Sequence, residues 1–120
     1  MIVSLNPVSA FPGSGVRTST QYVGPLSVID ASLADHAEAV VREAVSNVVR
    51  HAGATALTVT VTVEDDLVIE VVDNGRGIDA DITGSGLTNL RRRAEELGGS
   101  FAVVASADGG TCLTWRAPLP

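Results

Sequence analysis

LTVTVTVEDDLVIEVVDNGRG, residues 57–77, decides the fold of this chain, because it contains two strand patterns, a turn and a glycine-rich exit. From Leu57 to Val63, Leu and Val alternate with Thr, which is the period of a strand with one buried face. The acidic residues 64–66 turn the chain, and residues 67–72 return as a second strand. The stretch therefore predicts an antiparallel hairpin that carries Asp73 to one end of a sheet.

Two helices and three further strands are predicted outward from this hairpin. A cap at Asp30 or Ser32 is expected to begin the helix before the hairpin, and Gly98-Gly99 is expected to end the helix after it. In order, the predicted elements are a strand over 17–23, a helix over 33–52, the hairpin, a helix over 87–97 and a last hairpin of 101–105 and 112–116. This order predicts an α/β two-layer sandwich, a mixed β-sheet with the helices packed on one face.

The composition indicates one domain and excludes several classes of site. Residues 16–120 are expected to form the domain, and residues 1–15, rich in Pro and Gly, a flexible lead-in or an added tail. The net charge of −6 argues against a nucleic-acid partner, which needs a basic patch. All eight basic residues are Arg, so a Walker A loop and Schiff-base chemistry, both of which need Lys, are excluded.

The single cysteine, Cys112, excludes an intramolecular disulfide and a cysteine-based zinc site. This usage is typical of a reducing compartment. No apolar stretch reaches the ~20 residues that a membrane span needs, and the start of the chain lacks the pattern of a signal peptide. The sequence therefore predicts a cytoplasmic domain without direct membrane contact.

The first candidate site is a purine site formed by Asp73, Gly75 and Gly77. A carboxylate at a strand end can accept a hydrogen bond from the exocyclic amine of adenine. Glycines let the backbone approach a flat ligand or adopt a positive φ. Alone, however, Asp-Asn-Gly is also typical of an ordinary turn.

Gly84-Ser85-Gly86 opens the second predicted helix. Unpaired amides and the positive dipole end at a helix N-terminus favour a phosphate group. A plain helix entry with Ser85 as the cap explains the same residues equally well.

Glu43, Asn47 and His51 recur every four residues on the first predicted helix, at the rim of its apolar face. The amide oxygen of Asn47 is a suitable ligand for Mg²⁺, which prefers oxygen donors. Glu43 is a candidate to orient a metal-bound water or to act as a base. His51 is a candidate for a phosphate contact. The alternatives are a hydrogen bond from the rim to a loop and a helix-terminal histidine favoured by the dipole.

Thr111 begins the last strand, and its hydroxyl can share an adenine-bound water if the sheet places it beside Asp73. An ordinary strand residue is the alternative. Trp115 is expected in the core. Arg91, Arg92 and Arg93 point around their helix, so at most one or two of them can reach a phosphate.

Taken together, these segments resemble the ATP-binding catalytic domain of sensor histidine kinases, within the wider Bergerat (GHKL) ATPase group. Residues 43–52 look like the N box of that family, residues 73–78 like its G1 box, and Gly110-Thr111 like its final box. Residues 84–91 are similar to the G2 box of the NarL/DesK-type kinases. Within that group the sequence looks closest to the DevS/DosT oxygen-sensing kinases.

This resemblance implies a Bergerat fold that binds ATP and Mg²⁺. It implies Asp73 on adenine and Asn47 on the metal. The residues around the nucleotide would be Gly75, Gly77, Gly84, Gly86, Leu87, His51 and Thr111, with Glu43 as a catalytic residue. The implied partners are the helical dimerisation domain of the parent kinase, which holds the phosphoacceptor histidine, and a response regulator. The parent would carry haem in a separate sensor domain.

Two features depart from the family pattern. Only the five residues 79–83 separate the two glycine boxes, too few for the usual ATP lid, so weak ATP affinity is expected. The second departure is that no histidine in the chain precedes an acid, the usual pattern of a phosphoacceptor. Two alternatives stay open: a complete serine kinase of the anti-sigma-factor type, and a degenerate ATPase fold that only docks a partner.

Overall fold

The computed structural model describes residues 2–4, 17–24, 26–48, 55–75, 86–105 and 109–119. Its strands are β1 (Ile2–Ser4), β2 (Arg17–Val23), β3 (Ala56–Val63), β4 (Asp66–Asp73), β5 (Ser100–Ala105) and β6 (Thr111–Pro118). The helices are α1 (Ala31–Asn47) and α2 (Gly86–Glu96), and a short 3-10 helix covers Leu26–Val28. The predicted order of elements is confirmed, and the predicted two-layer α/β sandwich with it.

The described strands form one mixed sheet in the order β1-β2-β3-β4-β6-β5. The predicted hairpin of β3 and β4 is antiparallel, with Leu57 opposite Asp73. β2 pairs parallel with β3, and α1 lies between these two strands in the chain. β6 pairs antiparallel with both β4 and β5, so the last hairpin is confirmed too.

The sequence patterning did not predict β1. Residues 2–4 pair antiparallel with β2, with Ile2 opposite Val23, at the edge of the sheet. Three residues carry no measurable period, so a strand this short is recognised only from its partner. The other residues of the predicted lead-in lie outside the described ranges.

Helix α1 begins at Ala31 because Asp30 caps it, its Oδ1 accepting a hydrogen bond from the Leu33 amide at 2.8 Å. This choice between the two predicted caps is therefore settled by geometry. The helix ends at Asn47, with Val48 as its C-cap. The predicted continuation from residue 49 through residue 52 lies outside the described residues.

Helix α2 ends where it was predicted to end. Gly98 has a φ of +77°, the left-handed conformation that glycine adopts at low cost after a helix. The Gly99 amide donates to the Ala94 carbonyl at 2.7 Å, so the helix end is satisfied within the turn.

The core lies between the helices and one face of the sheet. β3 and β4 bury every second residue toward the helices, as their period predicted. Trp115, the only tryptophan, is fully buried at the centre of β6. Each fully buried Val, Leu, Ile or Phe side chain contributes about 1.5–3 kcal/mol. The buried apolar residues come from both helices and from the sheet: Leu33, Val40, Ala44, Val45, Val48, Leu57, Val59, Val61, Val63, Leu67, Ile69, Val71, Leu87, Leu90, Ala94, Phe101, Leu113, Trp115 and Ala117.

Candidate functional site

Asp73 and Thr111 lie side by side at one end of the sheet. Asp73 ends β4 and Thr111 begins β6, and the two residues are direct partners in the antiparallel ladder. On the other side of β4, Leu57 is the partner of Asp73. Asp73 is 4% exposed and Thr111 is also buried. The sheet thus meets the condition under which Thr111 was expected to share the role of Asp73.

The carboxylate of Asp73 is oriented by its own turn. Its Oδ1 accepts a hydrogen bond from the Gly75 amide at 2.8 Å. A carboxylate held at a strand end in this way can accept a further hydrogen bond from an amine donor with its second oxygen. Gly75 is therefore placed beside Asp73 by a direct contact, whereas Gly77 lies outside the described residues.

Gly110 has a role at this end of the sheet that the sequence patterning did not predict. A Cβ at this position would collide with the backbone carbonyl of Asp73 and press on the Cα of Asn74. Only a residue without a side chain lets β6 come this close to the end of β4. The available signal is the glycine pair 109–110 directly before the last strand.

Asn47 is the second buried polar residue of the candidate site. It is the last residue of α1 and is 1% exposed. Neither its Oδ1 nor its Nδ2 has a hydrogen-bond partner in the part of the chain that the structure describes. Because an unsatisfied buried amide costs about 1–3 kcal/mol, this side chain is what a site built for a polar ligand would contain.

Asn47 is buried more deeply than a position at the rim of the apolar face predicts. Val40 is fully buried and Leu33 nearly so, and both lie within about 40° of Asn47 around a helix with 100° per residue. Asn47 thus lies at the edge of an apolar face that Val40 and Leu33 extend toward it, and the packing of the domain buries it there.

Glu43 lies one turn before Asn47 on α1 and is partly buried. Residues three and four apart share a helix face, so the two side chains project toward the same region. The third member of the predicted series, His51, lies outside the described residues.

Helix α2 runs so that its N-terminus lies at the same end of the sheet as Asp73. The turn after α2 packs on the far end of β6, because a Cβ on Gly99 would collide with the Arg116 carbonyl. Near the C-terminus of α2, Arg93 Nη1 donates to Nδ1 of His36, near the start of α1, at 3.0 Å. The two helices are therefore antiparallel, and the end of α1 lies near the beginning of α2.

The glycine-rich entry to α2 is described only in part. Gly86 is the first residue of the helix, and Leu87 is buried in the core. Gly84 and the segment 79–83 lie outside the described residues. The positive end of α2 is thus directed toward the sheet end that holds Asp73 and Thr111.

The three consecutive arginines have neighbours within the domain. Arg91 lies over the Phe101 ring at 5.4 Å from its centroid, and Arg92 contacts Asn89 at 2.6 Å. Both arginines are exposed, while Arg93 bridges to α1. Arg91 and Arg92 thus lie on the solvent-exposed face of α2.

Cys112 follows Thr111 but faces the other side of the sheet, since neighbouring strand residues alternate. Burial raises the pKa of its thiol, the Glu70 carboxylate raises it further, and a hydrogen bond with Thr114 partly opposes the shift. Its thiol is therefore protonated at neutral pH and does not belong to the candidate site.

No helix in the described ranges is long and apolar enough to cross a membrane.

Sequence comparison finds relatives among ATPases and sensor proteins. The model of the family described as histidine kinase-, DNA gyrase B-, and HSP90-like ATPase matches residues 32–120. The sensor protein VraS of Staphylococcus aureus is 37% identical over 95 residues, which are 76% of this chain and 27% of VraS. VraS of Staphylococcus epidermidis gives the same values. The chain thus spans about a quarter of the length of these curated relatives.

Solved structures show the same fold. The ATP binding domain of PrrB from Mycobacterium tuberculosis matches with a TM-score of 0.59 and 22% identity, over 88% of this chain and 79% of that one. The blue-light activated histidine kinase EL346 of Erythrobacter litoralis matches with a TM-score of 0.63 and 22% identity, over 88% of this chain and 36% of that one. These matches confirm the predicted Bergerat-type architecture.

Proposed function

Because this chain belongs to the family of histidine kinase-, DNA gyrase B- and HSP90-like ATPases, we propose that it is the ATP-binding catalytic domain of a two-component sensor histidine kinase. In this role it binds Mg-ATP and donates the γ-phosphoryl group to a histidine on a separate helical dimerisation domain. The sensor-protein relatives support the kinase assignment within the family.

The unpartnered amide of Asn47 carries this proposal. Its buried oxygen accepts no hydrogen bond from the described residues. Such an oxygen suits a hard cation such as Mg²⁺, which keeps several of its waters and is usually bound together with substrate phosphates. The residues present thus fit Mg²⁺, with Asn47 as the protein ligand. The bound metal would neutralise charge on the triphosphate.

Asp73 is proposed to recognise adenine by accepting a hydrogen bond from its exocyclic amine. Its burial and the hydrogen bond from Gly75 support this role, because both restrict the carboxylate to one orientation. Thr111 would share a water bound to the ring. We assign Gly75, Gly77, Gly84, Gly86 and Leu87 to the walls around the nucleotide and His51 to a phosphate contact.

Glu43 is proposed as the base of the transfer step. An imidazole nitrogen of the acceptor histidine attacks the γ-phosphorus, a nitrogen–phosphorus bond forms, and the bond to the bridging oxygen of ADP breaks. Glu43 would take the imidazole proton or orient a metal-bound water, because it projects from the same face of α1 as Asn47. The contribution of the domain is mostly positioning and charge stabilisation.

The location, the partners and the kinase subgroup are part of the same proposal. We assign the chain to a cytoplasmic part of the parent kinase, with the dimerisation domain and a response regulator as partners. The residues at 84–91 support the NarL/DesK-type subgroup, and the similarity to DevS/DosT kinases is a narrower hypothesis within it.

A binding experiment on three proteins tests the proposed function. Wild-type chain, Asp73→Ala and Asn47→Ala are titrated with ATP in the presence and absence of Mg²⁺. We expect Asp73→Ala to weaken ATP binding at least about tenfold under both conditions, since one lost buried hydrogen bond to a charged group is worth that much. Asn47→Ala should instead remove the dependence on Mg²⁺. Unchanged adenine recognition in Asp73→Ala would contradict the proposal.

The stability of the phosphorylated product distinguishes a histidine kinase from a serine kinase. The chain is mixed with the helical domain of its parent and with labelled ATP, and the labelled product is treated with acid and with base. Label that survives base but not acid indicates phosphohistidine, whereas acid-stable label indicates a serine kinase. No thermal stabilisation at millimolar Mg-ATP, where a homologous kinase domain responds, would favour a docking module.

A further inference from the structure

Asn74, the residue after Asp73, holds together two segments of the candidate site. Its Oδ1 accepts hydrogen bonds from the backbone amides of Thr55 and Ala56, both at 3.0 Å. Its Nδ2 donates to the Thr55 hydroxyl at 3.0 Å. The backbone amide of Asn74 also donates to the Ala56 carbonyl at 3.2 Å. One exposed side chain thus makes three contacts with the segment that enters β3.

These contacts lie directly beyond the last ladder pair of β3 and β4. Leu57 is opposite Asp73, so Asn74 is opposite Ala56 and continues the pairing with its side chain. The two amides use both acceptor positions of the Asn74 oxygen. Asn74 thereby links the end of β4 to β3, directly after the buried Asp73.

The same contacts join the end of β4 to the start of β3. Thr55 is the residue immediately before β3. On the other side of Asp73, Gly110 packs against the backbone of residues 73 and 74. The turn that orients the Asp73 carboxylate is therefore held from both neighbouring strands, by a side chain on one side and by a glycine on the other.

We propose that Asn74 is a positioning residue for nucleotide recognition, which sets the orientation of Asp73 relative to the start of β3. This inference rests on the proposed function. Asn74 acts through Asp73 and does not itself contact the nucleotide. Losing this side chain removes three hydrogen bonds, so some loss of stability is expected as well. The positioning role is distinguished by a change in the preference for ATP.

The test compares Asn74→Ala with two matched variants of the whole chain. Thr55→Val removes only the hydroxyl contact and keeps both backbone amides. Asp66→Ala breaks the 3.0 Å contact between Asp66 Oδ2 and Arg116 Nη1 at the opposite end of β4, far from Asp73. For each protein, the dissociation constants for ATP and GTP and the thermal midpoint without nucleotide are measured.

Asn74→Ala should weaken ATP binding about tenfold, the equivalent of roughly one lost hydrogen bond, and should reduce the preference for ATP over GTP. Thr55→Val should have a smaller effect in the same direction. Asp66→Ala should leave the ATP dissociation constant and the preference unchanged. A merely structural role for Asn74 would change the thermal midpoint and leave the preference for ATP unaltered.

Two results would overturn the inference. One is an Asn74→Ala protein that binds ATP and discriminates against GTP as the wild type does. The other is an equal loss of preference in Asp66→Ala, which would assign the effect to general stability. A wild-type chain that does not bind ATP would refute the proposed function itself and this role with it, so the two failures are distinguishable.

Discussion

Gly110 determines how closely the last strand approaches the backbone of Asp73. The substitution Gly110→Ala places a methyl group against the Asp73 carbonyl, which belongs to the backbone and cannot rotate away. We expect a loss of about 1–3 kcal/mol in the free energy of unfolding, the usual cost of overpacking. ATP affinity should fall as well, since β6 must move away from the pair of Asp73 and Thr111. Urea unfolding and ATP titration measure both effects.

Gly109→Ala is the matched control for this prediction. Gly109 has a φ of +92° but nothing within 4 Å of an added Cβ, so the substitution costs backbone strain without a collision. It should lower stability while leaving ATP affinity nearly unchanged. Equal losses of affinity in the two variants would contradict the role given to Gly110.

Among single residues, the sequence named the candidate side chains but did not predict how buried they are or what they contact. The types and spacing of Asp73, Thr111 and Asn47 were sufficient to nominate them, because carboxylate, hydroxyl and amide oxygens have limited and specific uses. The burial of Asn47 was not predicted, because it depends on how far the apolar face of α1 extends toward Val40. The contacts of Asn74 were not predicted either, because they join residues of different strands.

At the scale of elements, α2 is anchored to the sheet by one buried polar contact. The indole Nε1 of Trp115 donates to the Leu90 carbonyl at 3.0 Å, and both residues are fully buried. This bond fixes the helix whose N-terminus is directed toward the end of the sheet that holds Asp73 and Thr111. The position of α2 therefore depends on a side chain of β6 as well as on apolar packing.

The variant Trp115→Phe tests this anchor. Phenylalanine keeps an aromatic ring but loses the donor and part of the volume, so we expect a loss of about 1–3 kcal/mol in unfolding free energy. Hydrogen exchange should accelerate in α2 more than in α1, because the helix opens as a local unit. Equal acceleration in both helices would show that the contact contributes only to overall stability.

For the elements themselves, local pattern predicted most of the structure. β2 was predicted with its observed bounds, and β3, β4 and α2 to within a residue at each end. The strand β1 was missed, because three residues are too few for a period. Apolar periodicity alone does not give the exact ends of a helix. The cap at Asp30 located the start of α1, and the glycine pair 98–99 located the end of α2.

At the scale of the whole molecule, the short segment between the two glycine boxes predicts weak nucleotide affinity. A pocket that binds tightly buries about 70–90% of its ligand, and residues 79–83 offer little chain to cover the phosphates. We expect the isolated chain to gain thermal stability with millimolar but not with low-micromolar Mg-ATP. Isothermal titration measures the affinity directly.

Adding the parent's helical dimerisation domain should tighten ATP binding if a partner surface completes the site. Titration with ADP is the control, since its shorter phosphate chain needs less cover and should respond less. Sub-micromolar ATP affinity of the chain alone would contradict the prediction.

The sequence by itself determined most of the secondary structure, the two-layer class and the residue types available for a nucleotide site. These properties follow from periodicity, capping and side-chain chemistry, which act over a few neighbouring residues. Only the tertiary structure decided that Thr111 lies beside Asp73 and that Gly110 packs on the backbone of Asp73. It also decided that Asn47 is buried with no hydrogen-bond partner among the described residues. Strand pairing and helix packing bring together residues far apart in the chain, and no local pattern encodes which of them meet.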